Sequence, residues 1–165
     1  MNQLTTTTPG HNSVTSAQSN EQVFVTIYVA KQLFGIPVER VQDILIPQNI
    51  AHIPLAPNEI AGAINLRGRI VTVVDVRKCL DLTPPADDAA PMCVTVEQGQ
   101  ELYSLKVDSV GAVISMPMSR IEKNPTTLDP RWRMISSGVI QLEEELLILL
   151  EIDSLLSFTA SQTMA

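Results

Sequence analysis

The chain has 165 residues, enough for one compact domain or for two small ones packed together. Because 45% of the residues are hydrophobic but only 4% aromatic, we expect Ile, Val and Leu to fill the core, and these side chains favour β-strands. The formal net charge is -7 and Lys and Arg are not clustered, which disfavours binding to nucleic acid or an anionic membrane. Protein partners are therefore favoured.

The two ends of the sequence differ in composition from its centre. Residues 1–20 contain no charged residue and are rich in Thr, Ser, Asn and Gln, which predicts a disordered polar tail. Residues 159–165 are similar and are expected to fray. The beginning of the chain has no signal-peptide pattern and no apolar run is long enough to span a bilayer, so we predict a cytoplasmic protein with its folded part at residues 21–158.

Within that part, apolar residues alternate with a period of two, as in half-buried strands. The clearest stretches are Phe34–Val38 and Tyr103–Val107, and Gly99 lies in a polar run that predicts a hairpin just before the second. Pro and Asp residues between Leu82 and Pro91 predict a loop. Helical content should be low, with one short turn in residues 58–63 and another in residues 118–123.

The two halves of the sequence resemble each other, which predicts an internal duplication. Shifting the sequence by 69 positions aligns a first block of apolar and acidic residues, and shifting it by 76 aligns a second block. The aligned pairs include Phe34 with Tyr103, Val41 with Val110, Gly62 with Gly138 and Asp75 with Glu151. The second half therefore has seven extra residues, within Ser115–Ser136.

Each half should hold about five short strands, a number that can curl into a small barrel and so hide its edges. The predicted fold is all-β, with two packed five-stranded barrels at approximately residues 21–84 and 91–158. The prediction allows an exchange of strands between the barrels at their ends.

Several residues are candidates for contact with a partner. Arg67 and Gly68 separate two apolar strands, so they should form a tight turn that projects a guanidinium group able to bind a carboxylate. Spacing alone leaves a solvated turn arginine equally open. Val41 and Asp43 could face outward together on a strand whose Ile44 and Leu45 would be core, although Val41 could also be core and Asp43 merely solvated.

Four sequence motifs resemble the CheW family, in the same order and across residues 22–158. They are "GAINLRGRIVTVVDVRKCL" at Gly62–Leu80, "FGIPVERVQDIL" at Phe34–Leu45, "LKVDSVGAVI" at Leu105–Ile114 and the prolines Pro54 and Pro57. The resemblance implies two SH3-like barrels, no catalysis and no cofactor. It also implies binding to the tip of a chemoreceptor and to the regulatory domain of the chemotaxis histidine kinase CheA, in receptor arrays at the inner face of the membrane.

The resemblance also implies a set of partner-binding residues. These are Val41, Asp43, Gly62, Asn65, Arg67, Gly68, Val110 and Val113. Three positions depart from the pattern, since Thr72 stands where the family usually has Pro, Asp43 where it more often has Glu and Glu151 where it more often has Asp. These departures concern the choice of partner more than the fold.

Other functions are less well supported by the sequence. Motifs of hydrolases, P-loop proteins, zinc proteases and dinucleotide-binding enzymes are missing, and Cys79 and Cys93 lack the spacing of a metal site with His11 or His52. A small nucleic-acid-binding barrel would need exposed aromatic and basic residues together on a strand. A CheW-like adaptor of a pathway unrelated to motility remains open.

The two halves differ in one charged turn. Glu143, Glu144 and Glu145 fall where the first half has Arg67, Gly68 and Arg69. An acidic run of this kind is usually a soluble turn. The alternative hypothesis is that the barrels present opposite charges to different partners.

Overall fold

A computed structural model describes residues 20–85 and 90–157. The predicted polar tail, except for Asn20, and the predicted frayed end lie outside these residues, as does His11.

Ten strands make up most of the described chain, as the alternating pattern predicts. They are β1 (Glu21–Val29), β2 (Gln32–Pro37), β3 (Val41–Leu45), β4 (Ile60–Leu66), β5 (Arg69–Asp75), β6 (Met92–Gln98), β7 (Glu101–Val107), β8 (Ser109–Pro117), β9 (Ser136–Gln141) and β10 (Leu146–Leu150). Short helices α1 (Val76–Cys79), α2 (Pro130–Met134) and α3 (residues 152–157) follow β5, precede β9 and follow β10. Single 3-10 turns lie at Val38–Arg40 and Met118–Arg120.

The strands form two five-stranded sheets, which confirms the predicted all-β class. Barrel A has the strand order β8-β1-β2-β10-β9, and barrel B has the order β3-β6-β7-β5-β4. Each barrel thus combines the first two strands of one half of the sequence with the last three strands of the other half. The boundaries predicted at residues 21–84 and 91–158 therefore do not separate the sheets, because the exchange involves two whole strands from each half.

The pairing register supports the internal duplication. In barrel A the parallel strands β2 and β10 align Phe34 with Ile148, and in barrel B the parallel strands β7 and β5 align Tyr103 with Thr72. These two pairs are related by the shifts of 69 and 76 positions seen in the sequence. A register shift also occurs at the matching place in both sheets, in the pairing of β8 with β1 and of β3 with β6.

Three apolar clusters form the core, and the largest of them joins the two barrels. The largest lies between the sheets and takes strand residues from both, together with residues of α1 and α3. Each barrel also has a smaller cluster on its other face, built around Leu147 and Leu149 in barrel A and around Val71 and Val73 in barrel B. Because the largest cluster is shared, neither barrel buries the residues of that cluster without the other.

A charged network also connects the barrels. Asp108, between β7 and β8, accepts hydrogen bonds from Nε of Arg77 at 2.9 Å and from its Nη2 at 2.6 Å. The same carboxylate accepts a 2.8 Å hydrogen bond from the backbone N–H of Ala30 in the β1–β2 turn. Arg77 belongs to α1, which Asp75 caps by accepting from the N–H of Lys78 at 3.4 Å. The network therefore joins α1 of barrel B to the first hairpin of barrel A.

The two short predicted turns have different outcomes. The prediction of a turn in residues 118–123 is confirmed by the 3-10 turn at Met118–Arg120. In residues 58–63 only Asn58 and Glu59 form a turn, because β4 already begins at Ile60.

Candidate partner-binding surface

The turn between β4 and β5 is a two-residue hairpin loop made by Arg67 and Gly68. Both residues have positive φ, 51° and 86°, as a type I′ turn requires. Asn65 supports the turn, since its Oδ1 accepts a 2.9 Å hydrogen bond from the N–H of Gly68. The turn conformation and this hydrogen bond therefore set the direction in which the Arg67 side chain points away from the barrel. We call residues 65–70 the β4–β5 tip.

Arg67 forms an ion pair that closes barrel B. Its Nη2 lies 2.8 Å from Oδ2 of Asp43, and β3 and β4 are the two outer strands of the sheet order. The Arg67 side chain is 76% exposed whereas that of Asp43 is only 22% exposed. The carboxylate thus holds the guanidinium at the surface, and the fork geometry of arginine leaves further donors for a partner.

The orientation predicted for β3 is wrong in one respect. Ile44 is 38% exposed rather than core, while Val41 packs at the edge of the shared cluster and Leu45 packs in the cluster of barrel B. Burial alternates along β3, so Gln42 and Ile44 are exposed while Val41, Asp43 and Leu45 are half-buried, and the adjacent residues Ile44 and Leu45 are not both core. The exposed aliphatic residue beside Asp43 is therefore Ile44.

The matching residues of β8 lie on the other barrel. Val110 packs at the edge of the shared cluster, as Val41 does. Val113 is 61% exposed and is the counterpart of Ile44. The candidate residues thus fall into two groups, one around the β4–β5 tip of barrel B and one on the outer strand of barrel A.

Gly62 is buried, so it cannot contact a partner through its own surface. Its φ is +148°, and a Cβ there would lie 2.2 Å from the backbone oxygen of Ala51. That close approach permits the paired hydrogen bonds between Ala51 and Ala63, both 2.8 Å long. Gly62 therefore shapes the loop before β4, in keeping with the backbone role that a glycine ahead of a strand suggests, and any part it has in partner binding acts through this loop.

Sequence reasoning missed two exposed residues of the β4–β5 tip. Arg69 is exposed, and Ile70 is 81% exposed opposite Asn65. The sequence does not mark Ile70 as exposed, because Val74, which an alternating strand places on the same face, is fully buried. Together with Arg67 and Ile44, these residues combine two cations with two exposed aliphatic side chains.

The equivalent turn of barrel A has the opposite charge. It contains Glu143 and Glu144 between β9 and β10 and is closed by a 2.9 Å hydrogen bond from the N–H of Leu142 to the oxygen of Glu145. The carboxylate of Glu145 also accepts from the hydroxyl of Tyr28 at 3.3 Å. The two barrels therefore present turns of opposite charge at corresponding positions.

Features of a metal or redox centre are not found in the described chain. Across residues 20–85 and 90–157, no three His, Cys, Asp or Glu side chains come together as a metal ion would require. Cys79 and Cys93 are buried thiols, and burial raises the pKa of Cys93. Within the same residues, no helix is long and apolar enough to cross a membrane.

Comparison with known proteins gives one consistent family. Residues 23–160 match the CheW-like domain. The chemotaxis protein CheW of Klebsiella aerogenes is 29% identical over 136 residues, which cover 82% of each chain. The chemotaxis protein CheW of Treponema pallidum is 25% identical over 160 residues, which cover 94% of each chain. The crystal structure of the scaffolding protein TtCheW from Thermoanaerobacter tengcongensis aligns with a TM-score of 0.70 and 27% identity, over 78% of this chain and 88% of that one.

Proposed function

We infer that this chain, which belongs to the CheW family, is a coupling adaptor of chemotaxis signalling. Its two five-stranded barrels are of the SH3-like kind found in that family. The adaptor acts by binding and not by catalysis. Its partners are the cytoplasmic tip of a chemoreceptor and the regulatory domain of the histidine kinase CheA, which it holds together in arrays at the inner face of the membrane.

The observation that best supports coupling through this surface is the exposed guanidinium of Arg67. The type I′ turn and Asp43 hold it in place, so little side-chain entropy is lost when a partner carboxylate binds. The neighbouring Ile44 and Ile70 add apolar area that water now covers. A cation beside exposed aliphatic residues suits a partner surface that combines a carboxylate with an apolar patch.

The predicted site residues divide by role in this proposal. Asp43, Arg67 and Val113 contact partners directly, whereas Asn65 and Gly68 set the shape of the turn. The other three predicted residues are buried or half-buried and support these surfaces from within the barrels. They are Val41, Gly62 and Val110.

The test is kinase autophosphorylation in the presence of receptor-bearing membranes, with and without the protein. The native chain should stimulate the kinase, and Arg67→Glu should lose most of this stimulation because it places a carboxylate where a cation is needed. Cosedimentation of receptor, kinase and adaptor should fall in parallel. If the native chain neither stimulates nor cosediments with its cognate partners, the coupling function is wrong.

A stability measurement separates loss of contact from loss of fold. Because the Arg67–Asp43 pair is largely exposed on the arginine side, Arg67→Glu should lower the free energy of unfolding by only about 1 kcal/mol. Lys31→Glu is a matched control, since Lys31 also lies in a two-residue hairpin turn with positive φ but in barrel A. If both variants lose kinase stimulation equally, the loss is caused by the change in the net charge of the protein and not by a lost contact at the β4–β5 tip.

A further inference from the structure

A pocket opens at the surface where the end of α1 meets α2 and the loop that precedes it. Its volume is about 280 Å³. A cavity of roughly 150 Å³ already holds benzene, whereas pockets for drug-sized ligands start at about 300 Å³. The pocket therefore has room for a small molecule. Its exposed lining residues are Asp81, Thr127 and Asp129, and its buried or half-buried ones are Leu80, Leu82, Leu128, Trp132 and Arg131.

The indole of Trp132 is held in place before any ligand arrives. Its Nε1 donates a 3.1 Å hydrogen bond to the backbone oxygen of Leu80. Its ring centroid lies 5.6 Å from that of Phe34, at an interplanar angle of 51°. Leu82 and Leu128 pack against the shared cluster, as Trp132 does. A ligand can therefore bind without first rearranging the apolar side chains, which lowers the entropic cost of binding.

Asp81 occupies a backbone position that favours other residue types. Its N–H donates a 3.1 Å hydrogen bond to the oxygen of Lys78. The N–H of Leu82 donates a 2.8 Å hydrogen bond to the oxygen of Arg77, which completes a Schellman motif at the end of α1. Asp81 has a φ of +59°, and Gly or sometimes Asn is usual at this position. The turn itself therefore gives no reason for a negative charge here.

The carboxylate of Asp81 is available to a ligand. In the part of the chain that the structure describes, it accepts no hydrogen bond and forms no ion pair. Asp129 supplies a second carboxylate at the entrance, and only its Oδ1 is used, by the N–H of Arg131 at 2.8 Å. Among the described lining residues Arg131 is the one cation, so the lining has a net negative charge.

The chemistry of the pocket favours a cation with an apolar body. Carboxylates form charge-assisted hydrogen bonds with ammonium groups, and an indole attracts a cation that lies within about 6 Å of its ring. The leucine side chains offer apolar surface beside these groups. An anion would meet two carboxylates, and an uncharged molecule would leave them without a partner.

The pocket is not a by-product of the duplicated fold. The bridges Ala51–Ala63 and Glu122–Val139 hold equivalent places in the two barrels, so most of the extra residues of the second half lie after Glu122. Residues 127–132 belong to this enlarged segment. The counterpart of Asp81 at a shift of 76 positions is the uncharged Ser157. The residues that would recognise a cation are therefore specific to this pocket.

We propose that this pocket binds a small organic cation, made of an ammonium group on an apolar body about the size of a benzene ring. The ammonium group binds the carboxylates of Asp81 and Asp129. The apolar body lies between the leucine side chains and the indole of Trp132. This site is separate from the coupling of receptor to kinase and gives the adaptor a ligand of its own.

The emission of Trp132 reports occupancy of the pocket, because it is the one tryptophan of the chain. Phenethylamine is a suitable probe, since it joins an ammonium group to a benzene ring. Titration of the full chain should change the emission along a saturable curve, with half-saturation on the order of 1 mM or lower. Phenethyl alcohol has the same body without the charge and should need at least tenfold higher concentration, because a hydrogen bond between charged groups is worth about a factor of ten or more.

Asp81→Asn separates the charge from the turn. Asparagine suits the positive φ, so this variant should unfold at a denaturant concentration no lower than the native chain. It should raise the half-saturation concentration of phenethylamine at least tenfold and leave that of phenethyl alcohol unchanged. Asp153→Asn neutralises an exposed carboxylate outside the pocket, so it should bind both compounds as the native chain does.

Thr127→Arg tests the location of the site independently of Asp81. Thr127 is exposed at the entrance, so an arginine there can be accommodated at the surface while it adds a competing cation to the pocket. This variant should lose the saturable change in emission and the heat of binding in calorimetry. The proposal is overturned by a linear response to phenethylamine, by equal half-saturation for the amine and the alcohol, or by unchanged amine binding in Asp81→Asn or Thr127→Arg.

Discussion

Asp108 makes polar contacts that connect the two barrels. Its carboxylate accepts two hydrogen bonds from the guanidinium of Arg77 and one from the backbone N–H of Ala30. The side chains of Arg77 and Asp108 are 15% and 31% exposed, so this pair is shielded from water more than Arg40–Asp153 or Arg67–Asp43. The hydrogen bond from Arg77 is the main reason that the pKa of Asp108 is lowered from its usual 3.8.

The stability of the protein should therefore fall in acid. A carboxyl group whose pKa is lower in the folded state contributes its full stabilisation above the unfolded value, near pH 4, and loses it as the pH falls through the folded value. Asp108→Asn should cost about 2 kcal/mol at pH 7, since it removes charged hydrogen bonds, and should flatten the acid dependence below pH 4. Urea unfolding at a series of pH values measures both effects.

Asp153→Asn is a suitable control for Asp108. Asp153 pairs with Arg40 at 2.8 Å, but its side chain is 59% exposed, so the variant should cost less than about 1 kcal/mol. If Asp108→Asn leaves the acid dependence of unfolding as steep as before, the loss of stability has another origin.

The individual strands show which features a sequence can predict. The alternation of apolar residues gave the positions of β2 and β7, and the Arg67–Gly68 pair gave a tight turn. The prediction for β3 failed at Ile44, because burial alternates from Val41 to Leu45 and leaves Ile44 exposed, whereas the adjacent residues Ile44 and Leu45 were both expected in the core. The Asp43–Arg67 contact joins residues 24 positions apart in sequence, so it depends on closure of the barrel and could not be read from spacing.

The glycines around β4 give a prediction at the level of this element. Gly62→Ala should cost about 3 kcal/mol, because its Cβ would lie 2.2 Å from the oxygen of Ala51 and its φ is positive. Gly68→Ala should cost only about 1 kcal/mol, because φ is also positive but nothing lies within 4 Å of the added Cβ. Chemical denaturation of both variants tests the difference.

Gly138 extends this test to barrel A. It is the counterpart of Gly62, with a φ of +158° and a Cβ position 2.7 Å from the oxygen of Glu122. Gly138→Ala should therefore behave like Gly62→Ala and not like Gly68→Ala. Equal costs for all three variants would mean that the backbone conformation, and not the close approach of the facing loop, determines the effect.

At the scale of the whole molecule, the exchange of strands was the part of the fold that the sequence left open. The two halves have corresponding patterns of apolar residues, so the pattern alone does not tell whether the first two strands of one half pair with the last three strands of the same half or of the other. Pairing within a half and pairing across halves therefore satisfy the same sequence signals. The choice depends on packing in the shared cluster, which includes Ile27 and Phe34 from barrel A and Val94 and Leu105 from barrel B.

Both barrels should unfold in one transition because they share this cluster. Urea unfolding followed by the emission of Trp132, which packs against the shared cluster, should coincide with unfolding followed by circular dichroism of all strands. Val71→Ala, in the separate cluster of barrel B, should move both curves to lower urea by the same amount, equivalent to about 1–3 kcal/mol. Two separate transitions would show that the barrels are independent folding units.

The order in which strands are shared also determines when each barrel can be completed during synthesis. Barrel B is one continuous stretch, from β3 to β7, and it stands between β2 and β8 of barrel A like a domain inserted into a loop of another. Because a ribosome makes the chain from its N-terminus, β1 and β2 leave the ribosome before the other eight strands, yet each lacks its second neighbour until β8 and β10 have emerged. The first hairpin to be made is therefore among the last to be paired on both sides, and until then its unpaired edges are open to association with other chains.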